Sequence, residues 1–417
     1  MSIRWITPRL GTGPALAVAD LPGITILDVR DLVDKAGNST EIVRAKIEQG
    51  RSLVAAGERV VVCCDYGISR SNSLAAGILA LLEGIPFEAA VRRVQAITQE
   101  DEIKLEPLAA VRAALEPQSL PRASRAPCRL LLTGGAGFIG QAARQRLARD
   151  FFLLAPSRSE LDLEKGGTAI DLTVGENSLE GVVHLANPRV YTSNTALGKS
   201  LTMLSNLLDV CVTRGIPLVY LSCWEVYSGY RGCLLADESL PALPRGPYGE
   251  TKFLAEAMIE HRRRTSGLEC ALLRSSPVYG GAGDRPKFIF NFLDKIRRGE
   301  TIRTHRYNNG DPALDLLHVD DLVEALAAVL KNGFRGNLNL GTGVLTSTPR
   351  IAELLQEILG RRVPLESSRI EAAAANIAMD IRQARARLDW SPTIPLEAGL
   401  RRLVTKHSPN PKAPIHE

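Results

Sequence analysis

Gly134, Gly137 and Gly140 fall three residues apart between the apolar run LLLT and the segment QAARQRLARD. A strand that bends directly into a helix needs a missing Cβ at the turn. It needs another where helix and strand pack closely, and a third where backbone must approach a ligand. The open N–H groups at the start of such a helix favour an anion. The stretch CRLLLTGGAGFIGQAARQRLARD therefore predicts a buried strand, a tight turn and a helix, with Gly134, Gly137, Phe138, Ile139 and Gly140 against the pyrophosphate of a dinucleotide. A second strand, FFLLA at 151–155, follows at the expected distance, and apolar strands alternate with amphipathic helices through residue 330. That alternation predicts a parallel sheet with crossover helices.

The end of the second strand reads the ribose. An acid there accepts from the 2′-OH of NAD, and an arginine accommodates the 2′-phosphate of NADP. Ser157 and Arg158 stand there, with no acid before Glu160, so NADP is the preferred cofactor and NAD the other. Further on, Tyr248 and Lys252 lie four apart in PYGETKFLAEAMI. On a helix they share a face, so an ammonium can meet a phenol over one ligand and favour the phenolate as a base.

The chain divides before the glycine turn. Residues 116–127 hold three prolines and two serines, which marks 117–127 as a linker between a domain at 1–116 and one at 128–405. The polar, Pro-rich tail at 406–417 is expected to be disordered. In the first part, GITILDV (23–29) and the run 59–63 predict strands, and 40–56 and 73–82 predict helices, with Pro86 opening another.

Between them lies VVVCCDYGISRS. Cys64 and Arg70 are separated by five residues, with Gly67 between them and Ser71 after. A loop of that length can converge its N–H groups on an anion at a helix N-terminus. A cysteine at its start feels the helix dipole and the guanidinium, both of which favour the thiolate. Arg70 can hold two phosphate oxygens in a fork, and Ser71 can bond the sulfur as it leaves.

On Cys64, Arg70 and the GISRS stretch, the part from Ile6 to about Glu106 resembles the dual-specificity and protein-tyrosine phosphatases. The resemblance implies a phosphocysteine intermediate and an aspartate that protonates the leaving oxygen; Asp34 is the first candidate and Asp31 the second. Two residues depart from the family. Cys63 stands where histidine is usual, and Asp65 adds a negative charge expected to weaken anion binding and raise the Cys64 pKa.

The second part resembles the extended short-chain dehydrogenase/reductases, the NAD-dependent epimerase/dehydratase group. Its landmarks run in order: TGGAGFIG, VVHLAN (182–187), LSCWEVYSG (221–229), YGETK, LLRSSPVYG (272–280), LLHVDDLVEAL (316–326), NLGTG (339–343) and LDWSP (388–392). The resemblance implies a doubly wound Rossmann sheet with a small substrate-capping lobe from about 275–310 and the segment after 345. It adds Asp162 and Ala186 to the cofactor set, gives Tyr248 and Lys252 their catalytic roles, and implies a possible homodimer. It also exposes departures. The serine or threonine usual 25 residues before the tyrosine is Cys223, a weak donor, and the adjacent Ser222 should face the other way on a strand. Trp224 replaces one acid of a dehydratase pair, and Glu225 keeps the other. An arginine for the substrate diphosphate falls at Leu314, leaving Arg303 or Arg306 as substitutes.

Composition narrows the function classes. A net charge of +5, with no basic run interleaved with aromatics, suits phosphorylated small molecules and gives no case for nucleic acid. Seven cysteines show neither zinc nor redox spacing, so no metal is expected, and free thiols point to a reducing, cytoplasmic setting. No signal-peptide core and no run of 18 apolar residues is present, so no membrane span is expected. Three readings stand: a bifunctional phosphatase and sugar or nucleotide-sugar epimerase, reductase or dehydratase; the same enzyme with a phosphatase-like binding module; and an NADP-sensing regulatory protein.

Overall fold

Val60, Val61 and Val62 are fully buried in the strand Val60–Cys64, the centre of a four-stranded sheet. It lies between Leu10–Pro14 and Thr25–Asp28, parallel to both, and Arg4–Trp5 pairs antiparallel on the far side of Leu10–Pro14. Helix Ser69–Glu83 follows the central strand. Every side chain from Ser69 to Ala80 is buried, because the helices Thr40–Ala55, Phe87–Thr98 and Leu105–Leu115 all pack against it. It starts four residues before the apolar run, since Ser69 and Arg70 already form its first turn, and Pro86 caps the next helix rather than opening it from within.

This computed structural model describes residues 3–18, 21–115, 129–188, 193–281 and 286–407. They cluster into two units that do not follow the division at 116 and 128. The first joins Met1–Ala123 to Leu161–Leu179 and Thr202–Ile216; the second is Ser124–Glu160, Glu180–Leu201 and Pro217–Glu417. Charge pairing explains the first unit. Asp171, fully buried on helix Gly167–Glu176, takes Arg112 and Arg214 at 2.6 Å each, and Glu88 takes the same two arginines at 3.3 and 3.2 Å. Thr168 also donates to the Ile103 carbonyl at 2.7 Å. The linker expected at 117–127 lies outside the described residues, and of the tail at 406–417 only Lys406 and His407 fall within them.

In the second unit six strands form one parallel sheet. Its order is Gly336–Leu340, Cys270–Ser275, Leu218–Cys223, Gly181–His184, Arg129–Thr133 and Phe152–Leu154. The first strand in the chain is flanked by the second and third, so the winding reverses beside Thr133 and His184. Ligands of open α/β sheets bind at such a reversal. Leu130, Leu132, Val183, Ala271 and Leu273 are buried against helices Phe138–Leu147 and Val319–Lys331. Helices Lys287–Arg298, Thr348–Leu359 and Leu396–Lys406 close a separate core around Ile289, Leu293, Ile351, Leu355 and Leu400. Among the described residues no helix is long and apolar enough to cross a membrane, and none of the six cysteines is in a disulfide.

Candidate functional site

The glycine turn sits at the carboxyl end of Arg129–Thr133. Gly134 has φ +74°, and a Cβ there would lie 2.5 Å from the Ala186 nitrogen. A Cβ on Gly140 would run into the Gly134 carbonyl oxygen. The turn is closed by the Gly137 N–H on that same oxygen at 2.9 Å. The first bond within the following helix is Gln141 N–H to the Gly137 carbonyl at 2.9 Å, and no side chain caps the helix, so Phe138, Ile139 and Gly140 present their N–H groups outward. A bare backbone cradle faces the sheet's switch point.

Glu160 folds back and accepts from the Ser157 N–H at 2.7 Å, which holds its carboxyl below the usual range. Glu160 thus lies beside Ser157 and the exposed Arg158, beyond the strand Phe152–Leu154. Asp162 belongs to the first unit, where its carboxylate accepts from the Glu164 N–H at 3.1 Å and caps the turn Leu163–Lys165.

Tyr248 and Lys252 occupy the first turns of helix Pro247–Ser266. Lys252 is 6% exposed; its Nζ donates to the Leu221 carbonyl at 2.8 Å and the Tyr220 hydroxyl at 3.2 Å, and lies 5.8 Å from the centre of the Tyr248 ring. Burial lowers its pKa below the ordinary lysine value. Cys223 ends the strand Leu218–Cys223; burial, with Glu225 nearby, pushes its thiol up to about 12, which keeps the weak S–H donor in place. Burial also raises the Glu225 carboxyl.

Ser222 turns to a different partner. Its hydroxyl donates to Glu256 at 2.5 Å, on the opposite side of the strand from Cys223 by the pleat. Glu256 also holds the buried Arg274 at 2.7 Å, and Arg274 bonds the Tyr227 hydroxyl at 2.5 Å. This polar cluster escaped the sequence reading, although Glu256 lies one turn beyond Lys252 and was open to the same four-residue spacing. Arg303 is a surface residue that pairs with Glu366 at 3.4 Å, Arg306 is exposed on the same strand, Ile302–Tyr307, and Leu314 pairs in a short ladder with Thr346.

In the first unit Cys64 ends its strand beneath the N-terminus of helix Ser69–Glu83. Its sulfur accepts from the Gly67 N–H at 3.2 Å and lies 3.4 Å from the Ser71 hydroxyl. Burial pushes the thiol up, but the Ser71 hydroxyl and the N–H groups of Ser71, Ile68 and Gly67 outweigh it and leave Cys64 below the ordinary thiol range. The expectation that Asp65 would raise it is corrected: Asp65 turns to Arg70, its Oδ2 2.5 Å from Nη2. Cys63, by contrast, is raised to about 11 by burial, with Asp28 next. Gly67 has φ +69°, and a Cβ there would lie 2.5 Å from the Pro14 nitrogen. Arg70 also donates to the Leu32 carbonyl at 2.9 Å and faces Asp34 at 3.4 Å. Asp34 is thus brought to the loop, whereas Asp31 pairs with Lys46 at 3.0 Å.

A family model described as the NAD dependent epimerase/dehydratase family matches residues 130–341. The UDP-glucuronate 4-epimerase of Thermodesulfobacterium geofontis is 28% identical over 317 residues, which cover 66% of this chain and 94% of that protein. Among solved structures, the Thermus thermophilus UDP-glucose 4-epimerase in complex with NAD is similar with a TM-score of 0.59 at 22% identity, over 67% of this chain and 98% of the other. RMD from Pseudomonas aeruginosa, complexed with NADPH, has a TM-score of 0.57 at 22% identity over the same shares. At those identities the structural likeness speaks for the fold.

Proposed function

Because the chain belongs to the NAD dependent epimerase/dehydratase family, we propose that it transfers hydride between a nicotinamide dinucleotide and a carbon of a sugar or nucleotide-sugar, and carries a cysteine-dependent phosphatase on the same chain. The observation that carries the first activity is the buried Lys252 ammonium beside the Tyr248 ring. The residues present suit a dinucleotide: Gly134, Gly137, Phe138, Ile139 and Gly140 would hold the pyrophosphate in a cradle that a Cβ would fill. When bound, the nicotinamide accepts and returns the hydride. Tyr248 takes the proton of the reacting sugar hydroxyl, Lys252 stabilises the phenolate, and Cys223 offers a weak hydrogen bond to the sugar oxygen. Arg158 keeps NADP the preferred cofactor, while Glu160 is the residue through which NAD would gain; Arg158→Ala and Glu160→Gln separate the two.

The test follows reduced-nicotinamide absorbance with each cofactor across UDP-, GDP- and dTDP-linked sugars, with product stereochemistry read by NMR. Turnover is expected in the wild type, with a loss of about 100-fold or more in Tyr248→Phe. Silence of the wild type on the whole panel would sink the reading.

The Cys64 sulfur, bonded by Gly67 and near Ser71, carries the phosphatase reading. The thiolate attacks phosphorus, forming the S–P bond as the ester P–O bond breaks; Asp34 protonates the leaving oxygen, and water then releases inorganic phosphate. Phosphate release from sugar phosphates, nucleotides and phosphopeptides should vanish in Cys64→Ser. A binding-only module is favoured by one observation, the Asp65 carboxylate already seated on Arg70; it stands if the wild type releases no phosphate from any class.

A further inference from the structure

Most positions facing the core of the six-stranded sheet are apolar, but one row across three neighbouring strands is not. Thr133, His184 and Tyr220 lie side by side in register, Thr133 opposite His184 and His184 opposite Tyr220. Along those strands their neighbours are Leu131 and Leu132, Val182 and Val183, and Val219 and Leu221. All three polar residues are 3% exposed or less. The Thr133 hydroxyl lies 2.7 Å from His184 Nδ1, the imidazole stacks on the Tyr220 ring at 5.8 Å between centroids, and the phenol accepts from Lys252 Nζ at 3.2 Å.

A phenylalanine at position 220 would fill the same space without a polar atom. Burying a hydroxyl costs free energy unless it is hydrogen-bonded. Here the partner is the ammonium, which also sits 4.7 Å from the centre of the same ring. Lys252 is thereby fixed at two oxygens, Leu221 carbonyl and Tyr220 hydroxyl, rather than one.

We propose that Tyr220 is a positioning residue: it holds the Lys252 ammonium under Tyr248, and it is the end of a polar row that starts at the glycine turn. The proposal rests on the reading of Tyr248 and Lys252 given above. The titratable groups that face Lys252 are Tyr220 and Cys223 on its neighbouring strand, His184 on the next, and Tyr248 and Glu256 on its own helix. His184 is pushed down to about 3 by burial and by Lys252, so it stays neutral and does not repel the ammonium.

Tyr220→Phe keeps the ring and removes only the oxygen. In the cofactor-free full chain with isotopically labelled lysine, the Lys252 resonance, assigned with Lys252→Met, reports its titration by NMR. Loss of an acceptor that favours the charged form should lower the Lys252 midpoint by about one pH unit. With substrate, kcat should fall about tenfold while KM holds. A midpoint unchanged from wild type overturns the proposal. Should Tyr220→Phe not fold, the Cζ resonance of labelled Tyr220 decides the matter in Lys252→Met: it shifts if the phenol faces the ammonium and stays if it does not. A shifted midpoint in a protein that turns over no sugar would uphold the positioning and sink the catalytic reading instead.

Discussion

Asp65 and Arg70 close the Cys64 loop on itself, the carboxylate Oδ2 2.5 Å from one guanidinium nitrogen. That nitrogen is one arm of the fork a phosphate would need, and the other arm is held by the Arg30 and Leu32 carbonyls. On the proposed phosphatase reading, a phosphoryl group would have to displace Asp65 to be gripped. Asp65→Asn removes the competing charge and should tighten vanadate or phosphate inhibition about tenfold, from one charge-assisted hydrogen bond regained. Unchanged or weaker inhibition would show that the carboxylate does not compete.

The two adjacent cysteines should react at different pH. Cys64 is held below the ordinary thiol range and Cys63 is raised to about 11. Iodoacetamide labelling followed by mass spectrometry should therefore modify Cys64 with a midpoint below that of a free thiol and leave Cys63 untouched near neutrality. Ser71→Ala should move the Cys64 midpoint upward. Because folding lowers this pKa, the thiolate contributes stability above the ordinary thiol range, and that contribution fades as pH falls through the Cys64 midpoint.

Gly134→Ala should abolish dinucleotide binding while leaving the sheet folded. The left-handed backbone costs a Cβ about 1–2 kcal/mol, and the clash with the Ala186 nitrogen adds to it. Calorimetric titration with NAD and NADP should show at least about a hundredfold loss of affinity for both. Retained affinity would mean the cradle does not hold the pyrophosphate.

Asp171→Asn should destabilise the first unit. It leaves Arg112 and Arg214 facing an amide in a fully buried setting, and breaking a buried pair in this way costs about 3 kcal/mol. Urea unfolding followed by far-UV circular dichroism should show the loss in the midpoint. A change below about 0.5 kcal/mol would mean that Glu88 alone holds both arginines.

Much of this was legible because local rules and tertiary structure agree. The glycine spacing, the apolar strands of the parallel sheet and the Cys64-to-Ser71 loop each announce their backbone directly. The strand Leu10–Pro14 did not, because three of the five residues in LGTGP are glycine or proline, which are depleted in strands. Gly11 is what lets the Trp5 ring come close, and Gly67 is what lets the Cys64 loop lie against Gly13 and Pro14. The bond from the Ser157 N–H to Glu160 was not legible for a different reason: counting along the chain says nothing of where a side chain folds back. Asp65 was judged by its charge alone, without the arginine that takes it up.

The patchwork make-up of the first unit also sets a timetable for synthesis. Its opening 123 residues leave the ribosome without the helix Gly167–Glu176 that bears Asp171, and the last stretch of the unit ends only at Ile216, about ninety residues later. At about 5–20 residues per second, Arg112 and Glu88 wait on the order of 5 to 20 seconds for all their partners. A gene cut at the proline-rich stretch would make that wait permanent.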